Sequence, residues 1–369
     1  MSDSTYFIGL MSGTSMDGVD AVLVDFAHPT PTVLASATRP FSADLRAALL
    51  ALQTIGDNEL DRAACLAITL SQHYAEVTHA VLAEAGVPAA AVRAVGCHGQ
   101  TVRHAPQRGY TVQLADWALL AELTGIDTIG DFRRRDVAAG GQGAPLVPAF
   151  HHALFAHPTE GRVIANIGGI ANLTCLSPNA PVRGLDTGPG NMLLDGWMQQ
   201  HTGQAYDAEG RCAAQGRCDP TLLAALLDEP YFAAPLPKST GRDLFNPDWL
   251  ASKLAQCPTA LSVADVARTL TILTARTVAE ACQHHAPEAT ALYVCGGGAL
   301  NPTLLAELAA ALPAGCALRT TAALGVPVMQ VEALAFAWLA RQHVVRQAGN
   351  LPAVTGAAGG RVLGACFPA

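Results

Sequence analysis

A short β-type run, a turn of small polar residues and a second β-type run open the chain, and the same succession returns in its second half. The first instance runs from 6–10 through Met11-Ser12-Gly13-Thr14-Ser15-Met16-Asp17-Gly18 into 19–26. The second runs from 163–167 through Gly168-Gly169 into 170–176. Apolar runs joined by Gly, Ser, Thr and Asp read as β-hairpins. A lone hairpin is barely stable in water, so each needs further strands and helices to cover it. Both halves supply them. Apolar positions recur at helical spacing over 44–86, as in Leu66, Leu70, Tyr74, Val77 and Val81, ahead of a strand at 92–97. A helix near 117–123 and a strand at 126–129 follow. In the second half, helices at 192–202 and 263–282 precede a strand at 291–294, and a helix at 302–311 succeeds it. The pattern predicts an α/β protein with duplicated mixed sheets flanking a cleft, and 369 residues suffice for two cores of ordinary size. The Gly-rich stretch Gly140-Gly141-Gln142-Gly143-Ala144-Pro145 reads as a domain junction. The expected division is residues 1–130, joined by the C-terminal segment 347–369, and residues 131–346.

Charge excludes several partner classes. The formal net charge is −8, and Lys238 and Lys253 are the only lysines. No basic stripe is present, so nucleic acid is not expected as a partner. The run Arg133-Arg134-Arg135 is bracketed by Asp131 and Asp136, and a local salt-bridged turn accounts for it as well as a ligand does. Ten cysteines are scattered without a CxxC pair, as in a cytosolic protein with reduced thiols. The N-terminus lacks a signal-peptide pattern, and no apolar segment approaches the roughly 20 residues of a membrane span. A cytoplasmic protein without a membrane partner is expected. His98, His104, Cys97, His151 and His152 do not have the spacing of a compact zinc site, and satisfied polar or core histidines are the expectation.

Three Gly-rich loops carry the chemistry: 12–18, 186–191 and 296–301. Phosphate needs backbone N–H donors at close approach, and glycine permits it. Thr14, Ser15 and Thr187 add hydroxyls, while Asp17 and Asp186 can hold Mg²⁺ or its water shell, or act as a base. No GxxxxGK[ST] sequence is present. With two lysines, phosphate charge must be met by backbone dipoles, a metal ion and an occasional Arg. Each loop alone also fits a plain tight turn. Gly296-Gly297-Gly298 resembles a dinucleotide fingerprint, but Asn301 stands where the third glycine should be and no acidic ribose reader follows about 20 residues on.

The order of these loops resembles the phosphate and adenosine motifs of the actin, hexokinase and heat-shock ATPase superfamily. More narrowly, the chain resembles the anhydro-N-acetylmuramic acid kinases. The matching segments are 9–18, Gly96-Cys97-His98-Gly99-Gln100-Thr101, Asp131-Phe132-Arg133, 139–145, Asn166-Ile167-Gly168-Gly169-Ile170-Ala171-Asn172, Asp186-Thr187-Gly188-Pro189-Gly190-Asn191 and Cys295-Gly296-Gly297-Gly298-Ala299-Leu300-Asn301. They span nearly the whole chain; between 204 and 260 less is recognisable.

The resemblance implies a two-domain actin-like ATPase fold, ribonuclease H-like in each half. It implies a kinase that opens the 1,6-anhydro bridge of 1,6-anhydro-N-acetylmuramic acid with water and phosphorylates O6 with ATP, in cell-wall recycling and amino-sugar catabolism. Asp186 is then the base, with an Asx-type turn cap as its structural alternative. Ser12, Gly13, Thr14, Ser15, Met16, Asp17 and Gly18 would wrap the phosphates, with Asp17 near Mg²⁺ through water; a capped hairpin turn is the alternative. Gly188, Gly190 and Asn191 would complete the nucleotide site, and Gly296, Gly297, Gly298 and Asn301 would lie against adenosine. Gln100 and Thr101 would bind sugar hydroxyls or the acetamido group. Arg133 would meet the lactyl carboxylate, unless it pairs internally with Asp131 or Asp136. Glu332 would contact the sugar or cap the last long helix. A homodimer is expected from the family. Competing expectations are another sugar or acetate-type kinase, an actin-like assembly ATPase, or a metal-dependent carbamoyl-transferring relative.

Overall fold

The computed structural model describes residues 4–13, 16–236 and 238–369. The chain forms two compact units, Met1–Leu154 with Gln330–Ala369, and Phe155–Met329.

The first unit begins with an antiparallel meander, β1 (Tyr6–Met11), β2 (Gly18–Asp25) and β3 (Thr32–Pro40). Helices α1 (Ala43–Ala51) and α2 (Glu59–Ala85) lead to β4 (Val92–Cys97), which returns parallel to β1. The ribbon β5 (Gln100–Ala105) and β6 (Tyr110–Leu114) forms its own two-stranded sheet. Then come α3 (Trp117–Thr124), β7 (Thr128–Gly130) parallel to β4, α4 (Phe132–Val137) and α5 (Val147–Phe155). The helical spacing over 44–86 is thus divided between two helices. Ser42 caps the first, and Gly56 with Asn58 at φ 50° interrupts the run.

The second unit repeats this plan. Strands β8 (Arg162–Ile167), β9 (Ile170–Leu176) and β10 (Arg183–Pro189) form the meander. Helices α6 (Met192–Thr202), α7 (Arg211–Gln215), α8 (Pro220–Leu227), α9 (Pro247–Leu254) and α10 (Val263–His285) precede β11 (Ala291–Cys295), which is parallel to β8. Helix α11 (Pro302–Ala311) and β12 (Ala317–Thr320), parallel to β11, complete it. The chain re-enters the first unit as α12 (Val331–Val344), α13 (Pro352–Thr355) and β13 (Ala365–Phe367), the last antiparallel to β7. The sheet orders are β13-β7-β4-β1-β2-β3 and β10-β9-β8-β11-β12. Apart from β13 they are one topology used twice: third, second, first, fourth, fifth.

Apolar faces explain the cores. Ile8, Leu10, Val19, Leu23 and Val95 are buried with Leu70, Tyr74, Val77 and Val81 of α2. Val163, Ala165, Ile167, Leu292 and Val294 are buried with Val278 and Cys282 of α10. Among the described residues no helix is long and apolar enough to cross a membrane.

Helix α12 determines the first unit's other face. It is buried from Ala333 to Ala340 and packs on β1, β2 and β4. A Cβ at Gly9 would overlap the carbonyl oxygen of Ala333 and stand 2.6 Å from Ala337 N, and one at Gly96 would overlap the carbonyl oxygen of Phe336. Only hydrogen at both positions lets the helix lie this close.

The observed division differs from the expected one at both joins. Residues 131–154 stay in the first unit because β7 lies inside its sheet and Asp136 ties down the segment after it. Asp136 Oδ2 accepts from Gly143 N (2.8 Å), and Oδ1 accepts from Asn350 Nδ2 (2.6 Å) and Thr355 Oγ1 (2.8 Å). The Gly-rich stretch 140–145 is therefore a turn within one unit, not the junction. Residues 330–346 join it through α12.

Gly96→Val should lower unfolding stability by at least about 3 kcal/mol, because the backbone of α12 must move. Gly125→Ala, where φ is 65° but nothing lies within 4 Å of the new Cβ, should cost about 1 kcal/mol. Urea denaturation of both variants checks this; a wild-type midpoint for Gly96→Val would refute the close packing.

Candidate active site

In the first unit the β1–β2 turn and the end of β4 lie together. Thr14 and Ser15, expected to contact phosphate, fall outside the described residues. Ser12 is buried, and its hydroxyl shares a hydrogen with Tyr74 Oη (2.7 Å) and donates to Gly99 O (3.2 Å). The hydroxyl is therefore committed to the interior. Met16 takes φ 54° and its side chain enters the core. Gly18 is required by β3, since a Cβ would collide with the Arg39 carbonyl. Asp17 is exposed beside this turn.

Gln100 is fully buried; its amide nitrogen donates to Gly13 O (3.1 Å), and its amide oxygen has no partner among the described residues. An acceptor held in this state suits a ligand N–H or O–H. Thr101 Oγ1 accepts from Gln113 Nε2 (3.1 Å) and keeps its own hydrogen to donate.

Arg133 Nε donates to His98 Nε2 (3.0 Å), and its Nη1 donates to Gly143 O (2.9 Å). A guanidinium has no acceptor, so His98 Nε2 must be the bare nitrogen and Nδ1–H donates to Ser12 O (3.3 Å). Burial, then the nearby Arg133 charge, holds His98 well below the usual imidazole range, so it is neutral. Its bonds make it a satisfied core histidine, as expected. Arg133 is pushed down to about 10 by burial, against the opposing fields of Glu332 and then Asp136. Of the expected internal partners, Asp131 instead pairs with Arg134 (3.2 Å). Glu332 occupies the first turn of α12. The glycine contacts that seat α12 thereby place its carboxylate in the field of Arg133.

In the second unit the loop expected over 186–191 is a strand to Pro189, with a bulge that shifts register between Asp186 and Gly188. A bulge re-aims side chains at a strand end. Gly188 has φ 138°, and a Cβ there would lie 2.6 Å from Phe232 Cε1. The amides expected to cradle phosphate are already used. Gly190 N and Met192 N donate to Gly169 O (2.9 and 3.1 Å), Asn191 N donates to Gly168 O (2.8 Å), and Asn191 Nδ2 donates to Ile167 O (3.1 Å). The open backbone is the turn Gly168-Gly169 itself, where a Cβ would meet nothing nearer than 3.8 Å. Joining the first two strands of its sheet, this turn is the counterpart of 12–17.

Among the late glycines, Gly296 (φ 78°) and Gly298 make way for Asn166 and Ile167, with a Cβ 2.5 Å from Asn166 Oδ1 and from Ile167 Cγ2. Gly297 is the open one, its nearest neighbour being Asn191 Nδ2 at 3.4 Å. Asn301 Oδ1 caps α11 by accepting from Leu304 N (3.0 Å).

Asp186 is the most perturbed carboxylate here. Burial raises it to about 6, against the Thr240 amide and Lys238, which both lower it. Oδ2 accepts from Thr240 N (3.1 Å), and the main-chain carbonyl accepts from Tyr231 Oη (2.8 Å). Tyr231, Lys238 and Thr240 lie in the segment where sequence reasoning recognised little; that Lys238 is one of two lysines was the available signal.

The raised carboxyl affects stability with a definite sign. Between about 4 and about 6 the folded chain holds a proton on Asp186 that the unfolded chain has released, so this group's contribution falls as pH rises. Asp186→Asn removes the effect. Its stability relative to wild type should improve as pH rises from about 4 to about 7, as denaturation series at several pH values would show; a difference independent of pH would contradict the assignment.

A family model described as anhydro-N-acetylmuramic acid kinase matches residues 5–369. An anhydro-N-acetylmuramic acid kinase from Paraburkholderia xenovorans (strain LB400) is 58% identical over 372 residues, covering 100% of this chain and 98% of that protein. One from Burkholderia pseudomallei (strain K96243) is 56% identical over 382 residues, with 100% and 98% covered. Among solved structures, the Acidaminococcus fermentans (R)-2-hydroxyglutaryl-CoA dehydratase component A matches with a TM-score of 0.50 at 12% identity, covering 90% of this chain and 96% of that one. At that identity the likeness concerns fold alone.

Proposed function

The chain belongs to the anhydro-N-acetylmuramic acid kinase family, and on that premise we propose that Asp186 is the base that activates water at C1 of the sugar while O6 takes the γ-phosphate of ATP. The protein is an ATP-dependent sugar kinase with the two-domain actin-like ATPase fold. Its substrate is 1,6-anhydro-N-acetylmuramic acid, and its products are N-acetylmuramic acid 6-phosphate and ADP.

The bridge sets the chemical demand. O6 is an ether oxygen with no proton to lose, and it becomes a nucleophile only as its bond to C1 breaks. Water oxygen bonds to C1, the C1–O6 pair passes to O6, O6 bonds to the γ-phosphorus, and the bond from that phosphorus to ADP breaks. The proton of the water goes to a carboxylate. The observation that carries the assignment is a carboxyl at a bulged strand end raised to about 6, a value suited to accepting a proton near neutral pH.

The remaining roles follow from what each residue has left to offer. Gln100 presents an acceptor without a partner among the described residues to the acetamido N–H or a hydroxyl, and Thr101 donates beside it. Arg133 meets the lactyl carboxylate, with Glu332 balancing its charge and touching the sugar. The turn from Ser12 to Gly18 wraps phosphate through its main chain, and Gly168-Gly169 does so in the second unit. Gly188, Gly190 and Asn191 hold the Asp186 strand end in shape. Gly297 lies against adenosine, with Gly296, Gly298 and Asn301 fixing its path. Asp17, exposed just before β2, suits a hydrated Mg²⁺ brought by the nucleotide. Asp17 would hold that ion through water, and the ion would offset phosphate charge. The physiological setting proposed is peptidoglycan recycling and amino-sugar catabolism in the cytoplasm, by a homodimer.

Asp186→Asn should lower turnover at least a hundredfold, within the usual range of about 10² to 10⁴ for general base loss, and leave ATP affinity unchanged. Steady-state kinetics with calorimetric nucleotide binding test this. An unimpaired variant would remove Asp186 from the role.

A further inference from the structure

We propose that the segment 230–240 is a positioning element for Asp186, with Lys238 as its anchor; this rests on Asp186 being the base. Lys238 Nζ donates to two carbonyls of its own segment, Tyr231 O (3.3 Å) and Phe232 O (2.9 Å), and sits 4.9 Å from the Tyr231 ring centroid. These contacts fold the segment back on itself. Its two ends then reach the same aspartate: Tyr231 Oη donates to the main-chain carbonyl of Asp186 and Thr240 N to its Oδ2.

The base of the segment is packed on an aromatic cluster. Phe232 stacks on buried Phe245 at 5.7 Å, and Tyr231 meets Phe245 edge-on at 5.7 Å. Phe232 also fills the space that a side chain at residue 188 would need. Thus the bulge of β10, the aromatic floor and the lysine clasp all bear on one carboxylate. The ammonium near it also opposes the burial that raises its pKa, and Asp186 in turn supports the charge of Lys238.

The other groups around the carboxylate are few. Across β9 its paired residue is Asn172, which is uncharged. Within the segment Tyr231 and Lys238 are the titratable neighbours. From α10, Glu280, His284 and His285 line a small cavity shared with Thr187 and Lys238, and Glu280 is paired with Arg276.

Lys238→Met keeps the apolar stem and removes the charge, whereas Lys238→Arg keeps the charge. In the methionine variant we expect the acid limb of kcat to move up by roughly one pH unit and the alkaline plateau to fall roughly tenfold. KM for ATP and for the sugar should stay within twofold, and the arginine variant should recover most of the limb. The Asp186 carboxyl, followed by carbon-13 NMR and identified by its loss in Asp186→Asn, should titrate higher in Lys238→Met by the same amount. An unmoved limb and an unmoved carboxyl titration would overturn the proposal. So would a raised KM with the limb in place, since Lys238 would then touch substrate. A fully active Asp186→Asn would sink the base assignment instead, and the carboxyl titration would still decide for Lys238.

Discussion

Two carbonyl oxygens of α12, those of Ala333 and Phe336, lie where the Cβ atoms of residues 9 and 96 would otherwise be. That approach closes the first unit between segments 240 and 324 residues apart in the chain. It puts Glu332 in the field of Arg133, and Arg133 fixes the tautomer of His98, which holds the carbonyl of Ser12 at the root of the β1–β2 turn. The residues proposed to face the sugar and those proposed to face phosphate in this unit are thereby coupled through one helix seat. In the second unit the same device recurs, with Gly190 against Gly168, and Gly296 and Gly298 against Asn166 and Ile167. Most of the described motif glycines therefore make way for a neighbouring backbone or side chain, and the open ones are Gly140, Gly168, Gly169 and Gly297.

The charges are poised in opposite senses. Burial weakens the acidity of Asp186 and the basicity of Arg133 and His98. Each group pairs that penalty with specific partners, so none is an uncompensated buried ion. A carboxyl near 6 is costly to folding and useful to a base, which is the usual tension at catalytic sites.

The hairpins, the central strands and the long helices were legible because they depend on local periodicity and turn chemistry. Asp186 and the three glycine-rich segments stood out in the sequence because glycine beside hydroxyl and carboxylate residues is a local pattern, although the second proved to be largely strand. The rest depends on distance in space. Residues 140–145 read as a junction since nothing local reveals that Asp136 binds Gly143, Asn350 and Thr355 together. The 186–191 amides read as donors for phosphate because sequence does not show that the Gly168-Gly169 carbonyls consume them. Tyr231, Lys238 and Thr240 carry no motif; their relation to Asp186 exists only after the segment closes. Gly168-Gly169 looked like an ordinary hairpin turn, and only the repeated strand order identifies it as the partner of 12–17.

Bridge opening coupled to phosphoryl transfer leaves an isotopic record. With oxygen-18 in the 1,6-bridge and ordinary water as solvent, the label should appear solely in the ester oxygen between C6 and phosphorus, while C1 gains a solvent oxygen. Phosphorus NMR and mass spectrometry of promptly quenched product would show it. Label remaining on C1, with a solvent oxygen in the phosphate ester, would contradict attack of Asp186-activated water at C1.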